Sequence, residues 1–139
     1  MTDRQTAEEP TPRPLVVLLA EDQGVLRALL CTALSGAGFC VWVAADGDEA
    51  VSLYRAHRGE IDAALLDRGL PGKDGPAALA ELRALDPDLP CCLMTGAGPD
   101  VEEELLVLGA SCVLAKPFDL PEMIAKVRGL CARRTGKAF

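Results

Sequence analysis

The 139-residue chain has a single histidine, His57, and no two cysteines in C-x-x-C spacing, which removes the ligand sets of ordinary zinc sites. Its six cysteines are Cys31, Cys40, Cys91, Cys92, Cys112 and Cys131. They are read as reduced packing residues, because Cys40, Cys91, Cys92 and Cys112 fall in runs of strand character where a free thiol behaves as a small hydrophobe. No apolar run approaches the roughly 20 residues that a membrane-spanning helix needs. Leu15 to Ala20 is also too short for a signal-peptide core, and Glu21-Asp22 follows it where a small-residue cleavage site would stand. A basic surplus is missing too: the net charge of -7 argues against a broad nucleic-acid or anionic-membrane surface. The expectation is a cytoplasmic protein with no membrane insertion and no direct contact with nucleic acid. Gly96-Ala97-Gly98 lacks both the Walker lysine pattern and the dinucleotide glycine spacing, so a nucleotide loop is not expected there.

What remains is the composition of one soluble domain, half apolar and one quarter charged. Residues 1–14 carry prolines and charges but no large apolar side chain beyond the initiating Met, and are expected to form a disordered leader. The folded unit is placed at 15–133, with a short tail at 134–139. Within it, five brief and nearly all-apolar runs read as strands covered on both faces: Leu15 to Ala20, Phe39 to Ala45, Ile61 to Leu66, Pro90 to Thr95 and Ser111 to Ala115.

Helical spacing fills the intervals. Val25, Leu26, Leu29, Leu30, Ala33 and Leu34 form one stripe, stopped by Gly36 and Gly38. Ala50, Val51, Leu53 and Tyr54 suggest a second helix, and Gly75 to Leu85 a third that ends before Pro87. Val101, Leu105 and Leu108 fit a fourth at i, i+4 and i+7. Leu120, Met123, Ile124, Val127, Leu130 and Cys131 give the fifth, behind Asp119 as N-cap and Pro121 in the first turn. Strict βα alternation implies an α/β fold: a five-stranded parallel sheet with right-handed crossovers and helices on both faces. Several strand orders satisfy it. In the flavodoxin-like order 2-1-3-4-5, a (βα)5 three-layer sandwich, strands 1 and 3 meet at the switch point where such folds keep their ligand crevice.

That order would gather the polar residues that end the strands: Glu21 and Asp22, Asp67, Thr95 and Lys116. Taken singly, each has an ordinary explanation. Glu21 and Asp22 suit a helix N-terminus, Asp67 a turn, Thr95 a cap, and Lys116 a solvated surface. None of these explains why all five mark strand ends. Three carboxylates within about 5 Å repel by roughly 3 kcal/mol per pair at an effective dielectric near 20, so they require a compensating cation. Mg²⁺ fits an all-oxygen set that also admits phosphate. A carboxylate beside it can accept a phosphoryl group, and Asp67, ending the central strand before Arg68-Gly69-Leu70-Pro71-Gly72, is the candidate acceptor.

With these residues in view, the chain resembles a response-regulator receiver domain, the phosphoacceptor module of two-component signalling. The resemblance rests on Glu21-Asp22, on Asp67 at its strand end with Leu70-Pro71 and Asp74-Gly75, on Thr95-Gly96, and on Lys116-Pro117-Phe118. It implies that Asp67 takes phosphate from a histidine kinase or a histidine phosphotransfer protein, and that the product controls docking to a downstream protein. It also implies direct Mg²⁺ ligation by Asp22, Asp67 and the Gly69 carbonyl, with Glu21 acting through a water. Lys116 would hold a phosphoryl oxygen, Thr95 would move to bond another, and Pro117 would aim Lys116 through a cis bond. The protein would promote its own phosphorylation without being an enzyme on another substrate. Two positions depart from the family pattern: Val113 stands where an aromatic ring is usual, and Arg68-Gly69 is an uncommon pair after the acceptor. With no output domain expected after the fifth helix, the reading is a stand-alone receiver. The alternatives are a pseudo-receiver scaffold, a fragment of a larger regulator or hybrid kinase, and, least favoured, a small phosphatase using Asp67.

Overall fold

The computed structural model describes residues 13–135. Most of the expected leader and tail therefore lies outside the described residues. Ten elements alternate without exception: β1 (Val16–Ala20), α1 (Gly24–Gly36), β2 (Cys40–Ala44), α2 (Gly47–Ala56), β3 (Ala63–Asp67), α3 (Gly75–Leu85), β4 (Cys91–Thr95), α4 (Pro99–Val107), β5 (Cys112–Ala115) and α5 (Leu120–Thr135). The strands are all parallel and ordered β2-β1-β3-β4-β5. This is the flavodoxin-like three-layer arrangement.

Period-two alternation divides each strand between two cores. Leu18, Ala64, Leu66 and Leu93 pack with Val51, Tyr54, Leu79, Leu82 and Leu105 of α2, α3 and α4. Val17, Leu19, Leu65 and Met94 pack with Leu30, Leu34, Met123, Val127 and Leu130 of α1 and α5. β1, β3 and β4 are buried along their whole length, which is why they read as continuous apolar runs.

The helix starts follow capping chemistry. The Asp46, Asp74 and Asp119 carboxylates accept from the Glu49, Ala77 and Glu122 amides at 2.7, 2.9 and 2.8 Å. The expected N-cap of α5 is thus the one observed.

Two stripes are narrower than their spacing suggests. On α1 only Leu30 and Leu34 are buried, while Val25 and Leu29 stay 87% and 49% exposed. The helix is apolar around more of its circumference than the sheet can cover. Leu108 continues the α4 period but is 61% exposed. The helix has ended at Val107, and Gly109, at φ 118°, turns the chain so that Ala110 enters the core instead.

Asp62, inside the run taken as the third strand, is 3% exposed. Its carboxylate accepts two bonds from Arg13 at 2.7 and 2.8 Å and one from the Val16 amide at 2.8 Å. A buried charge needs such partners, and Asp62 draws Arg13, assigned to the leader, onto the base of the sheet.

Candidate functional site

Strand register brings the five polar residues to one edge. Ala20 is level with Leu66, Asp67 with Met94, and Thr95 with Ala115. The ladder runs one step further: the Glu21, Arg68 and Lys116 amides still donate to Ala44, Met94 and Thr95 carbonyls at 3.0, 2.9 and 2.8 Å. Main-chain bonds therefore fix the bases of Glu21, Asp67 and Lys116 before any side chain interacts.

Above that edge, one oxygen each from Glu21, Asp22 and Asp67 lies within 4.8 Å of the others. Glu21 and Asp67 are buried and Asp22 is exposed, so the cluster opens to solvent on the Asp22 side. The Lys116 ammonium donates to Asp67 Oδ1 at 2.7 Å and to Glu21 Oε1 at 3.4 Å. The other oxygen of each carboxylate is also held: Asp67 Oδ2 accepts from the Gly69 amide, and Glu21 Oε2 from the Gln23 amide, both at 3.1 Å. Arg27 donates to the Glu21 carbonyl at 2.9 Å, tying α1 to the start of the site.

The electrostatics follow from this packing. Burial pushes the Glu21 carboxyl above its ordinary range; the Gln23 amide pulls the other way, and the charge on Asp67 adds to the rise. Burial also opposes the Lys116 charge. Its hydrogen bond to Asp67 and the fields of Asp67 and Glu21 outweigh that, and the ammonium titrates above the usual lysine range.

Three carboxylates against one ammonium leave an excess of about two negative charges, which a single divalent cation would balance. All the donors are oxygen, as Mg²⁺ prefers. Two ligands of one Mg²⁺ are at most about 4.2 Å apart, twice the usual bond length, so the cluster fits if one carboxylate reaches the ion through water. Glu21, already tied to Lys116 and Gln23, suits that indirect place.

Thr95 and Gly69 relate to the cluster differently. The Thr95 side chain is nearly buried on the same edge, and its hydroxyl accepts from the Ala97 amide at 3.1 Å, within its own loop. Gly69 contributes its N–H to Asp67. The Lys116-Pro117 peptide bond is cis. Val113, level with Leu93, packs against the α2, α3 and α4 core.

Gly75, named from the sequence only with Asp74 among the residues that carry the resemblance and as the start of the third helix, also supports the acceptor. A β-carbon on Gly75 would meet the Asp67 carbonyl oxygen at 2.5 Å and Arg68 Cα at 2.8 Å. The Asp74-Gly75-Pro76 string reads as a helix start, and that role hides the need for a missing side chain.

Comparison with known proteins agrees with this geometry. Residues 17–128 match the family model described as the response regulator receiver domain. The transcriptional regulatory protein PrrA of Mycobacterium tuberculosis is 39% identical over 130 residues, covering 92% of this chain and 53% of its own length. A putative response regulator from Chloroflexus aurantiacus superposes with a TM-score of 0.80 at 31% identity, covering 86% of this chain and 99% of that one. CheY from Borrelia burgdorferi, solved with CheX, BeF3 and Mg²⁺, gives 0.79 at 28% identity and covers 84% and 89% of the two chains. The chain spans about half the length of the curated relatives it matches.

Proposed function

The chain belongs to the response-regulator receiver family of two-component signal transduction, and on that premise we propose that Asp67 is its phosphoacceptor. One observation carries the reading. The Asp67 carboxylate ends the central strand with Lys116 bonded to one oxygen and two further carboxylates beside it, an arrangement that stores charge where a phosphoryl group would be received.

In the proposed reaction an Asp67 oxygen attacks the phosphorus of a phosphohistidine. The new P–O bond forms as the P–N bond breaks, and the imidazole leaves with its electron pair and takes up a proton. Lys116 shifts its donor from Asp67 to an incoming phosphoryl oxygen, and the Thr95 hydroxyl leaves the Ala97 amide for another. Asp22, Asp67 and the Gly69 carbonyl would hold Mg²⁺, with Glu21 behind a water; the ion supplies charge neutralisation when bound. The Mg²⁺ in the Borrelia CheY complex supports that assignment for this chain's matching cluster.

The donor is proposed to be a histidine kinase or a histidine phosphotransfer protein. An apolar groove of about 510 Å³ runs between α1 and the loop into α5, lined by Leu26, Leu29, Leu30, Phe118 and Leu120, and it opens beside Lys116. A protein presenting phosphohistidine to Asp67 would seat there, which gives the exposed Leu29 a use. Leu29→Asp should then slow transfer from a phosphorylated protein but leave labelling by a small phosphodonor unchanged; equal slowing of both would contradict the docking. The product would control binding to a downstream protein. We place this in the cytoplasm; no helix of the described residues is long and apolar enough to cross a membrane. The name transcriptional regulatory protein belongs to relatives about twice as long, and the net charge of -7 favours protein partners over nucleic acid for these residues.

Incubation with Mg²⁺ and a small phosphodonor, followed by intact-mass measurement, tests the assignment. Wild type should gain one phosphoryl group and Asp67→Asn none; equal gain by both would overturn it. Val113 favours a second reading, a scaffold with no phosphate cycle, since no ring at that position can report on Thr95. That reading is supported if beryllofluoride plus Mg²⁺ leaves the protein's spectra unchanged.

A further inference from the structure

Cys92 and Cys112 are level with each other on adjacent parallel strands, and both point to the α1 and α5 face of the sheet. Neighbouring strands lie about 4.8 Å apart, inside the range of roughly 4.4 to 6.8 Å between Cα atoms that a disulfide spans. All six cysteines stand as thiols in this structure.

The two thiols are not equivalent. Cys92 is wholly buried, whereas Cys112 is half-buried and lines a surface cavity of about 220 Å³ with Lys126, Gly129, Leu130 and Arg133. The neighbouring Cys92 thiol, helped by Lys126 and Arg133 against the effect of burial, lowers the Cys112 thiol below its ordinary value. The same pairing, with burial, raises Cys92, whose thiol donates to the Leu93 carbonyl at 3.8 Å. Burial pushes Cys91 and Cys131 up to about 12. Cys112 thus combines an approach for a small molecule, two cations that favour its thiolate, and a second thiol directly behind it.

We propose that Cys112 is a peroxide-sensitive thiol whose oxidation product is resolved by Cys92 into a β4–β5 disulfide. The Cys112 thiolate attacks one oxygen of hydrogen peroxide; an S–O bond forms, the O–O bond breaks, and the departing hydroxide takes a proton to become water. The Cys92 sulfur then attacks the sulfenic sulfur. An S–S bond forms, the S–O bond breaks, and hydroxide leaves with the Cys92 proton as a second water. Two thiols are oxidised by two electrons in total, and one peroxide is reduced to two waters. The bond would tie the strands together three residues before Thr95 and four before Lys116.

The test treats the dilute 139-residue chain with hydrogen peroxide and measures intact mass and tandem fragments. The expected result is loss of two hydrogen masses, reversal by a thiol reductant, and a link mapped to Cys92 and Cys112. Cys91→Ala, altering the neighbour on the opposite face, should keep the link. Cys92→Ala should stop at a sulfenic acid on Cys112 that dimedone traps, and Cys112→Ala should give neither product. The proposal is overturned if Cys112 remains open to alkylation while other cysteines oxidise, or if no cysteine oxidises. A link through Cys91 also overturns it, and fragmentation of the wild type reads that even where a variant fails to fold.

Discussion

Gly75 is pressed against Asp67: the first turn of α3 passes so close to the end of β3 that a β-carbon there would stand 2.5 Å from the Asp67 carbonyl oxygen. The Gly75 amide donates to the Arg68 carbonyl at 3.0 Å, and Asp74 caps the helix immediately before it. The contacting atoms are backbone, which cannot swing aside as a long side chain would. Gly75→Ala is therefore expected to cost about 1–3 kcal/mol and to shift the acceptor strand end. A lower urea midpoint with unchanged slope would show the first effect, and slower labelling by a small phosphodonor the second. An unchanged midpoint would mean that α3 can retreat freely from Asp67.

The acidic cluster gives a prediction about metal. If Glu21, Asp22 and Asp67 hold Mg²⁺ in the folded state alone, tenfold more Mg²⁺ than the dissociation constant should add about 1.4 kcal/mol of stability, or roughly 5 °C in melting temperature. Excess EDTA should reverse it. Asp22, the exposed member, can be changed with little structural cost, and Asp22→Asn should shrink the shift. A Mg²⁺ response of the same size in Asp22→Asn would remove that residue from the ligand set.

Much of this site was legible in the sequence because strands buried on both faces are written as unbroken apolar runs, and the polar residues ending those runs stand out. Asp67, Thr95 and Lys116 are visible for that reason. Strand order was not encoded in any run; alternation permits several orders, and the flavodoxin-like one stood out because it gathers the polar residues that end the strands. Val25, Leu29 and Leu108 show the complementary difficulty. A stripe gives the period of a helix but not the width of the surface that covers it, nor the residue at which the helix stops. Asp62 was hidden by its neighbours: a charge inside an apolar run says nothing of its partner until Arg13 is brought across 49 residues. The Cys92 and Cys112 pairing likewise depends on register between strands.

Lys116 should matter to chemistry more than to folding. Its charged hydrogen bond to Asp67 is worth about 1.5–3 kcal/mol, and if the same group serves the phosphoryl oxygen, Lys116→Ala should slow phosphorylation by roughly 10- to 100-fold. Mg²⁺-dependent stabilisation should persist, since the carboxylates remain. Loss of both would place Lys116 in the architecture of the cluster instead of in the transfer step.

Far from the site, Asp86 joins three elements and sets a pH dependence that can be worked out in sign. It accepts the Tyr54 hydroxyl from α2 and two bonds from Arg134 of α5, one of them at 3.1 Å. The bond to Arg134, opposed by burial and aided by Tyr54, holds the carboxyl below its usual range. The folded state then releases the Asp86 proton more readily than the unfolded chain does. Its stabilisation is fully present above the unfolded value of about 3.9 and is lost as pH falls through the lower folded value. Asp86→Asn should cost about 1–3 kcal/mol at pH 7, and its melting temperature should converge on that of wild type below about pH 4. Tyr54 gives the opposite limb. Burial and its bond to Asp86 push the phenol up to about 12, so its contribution is present below the unfolded value of about 10 and is lost as pH rises from there through the folded one. Tyr54→Phe should therefore differ most from wild type at neutral pH and converge with it in strong alkali. Melting curves for both variants from acid to alkali check the pair of signs. A gap that stays constant with pH in either one would show that packing, not titration, carries that residue's share.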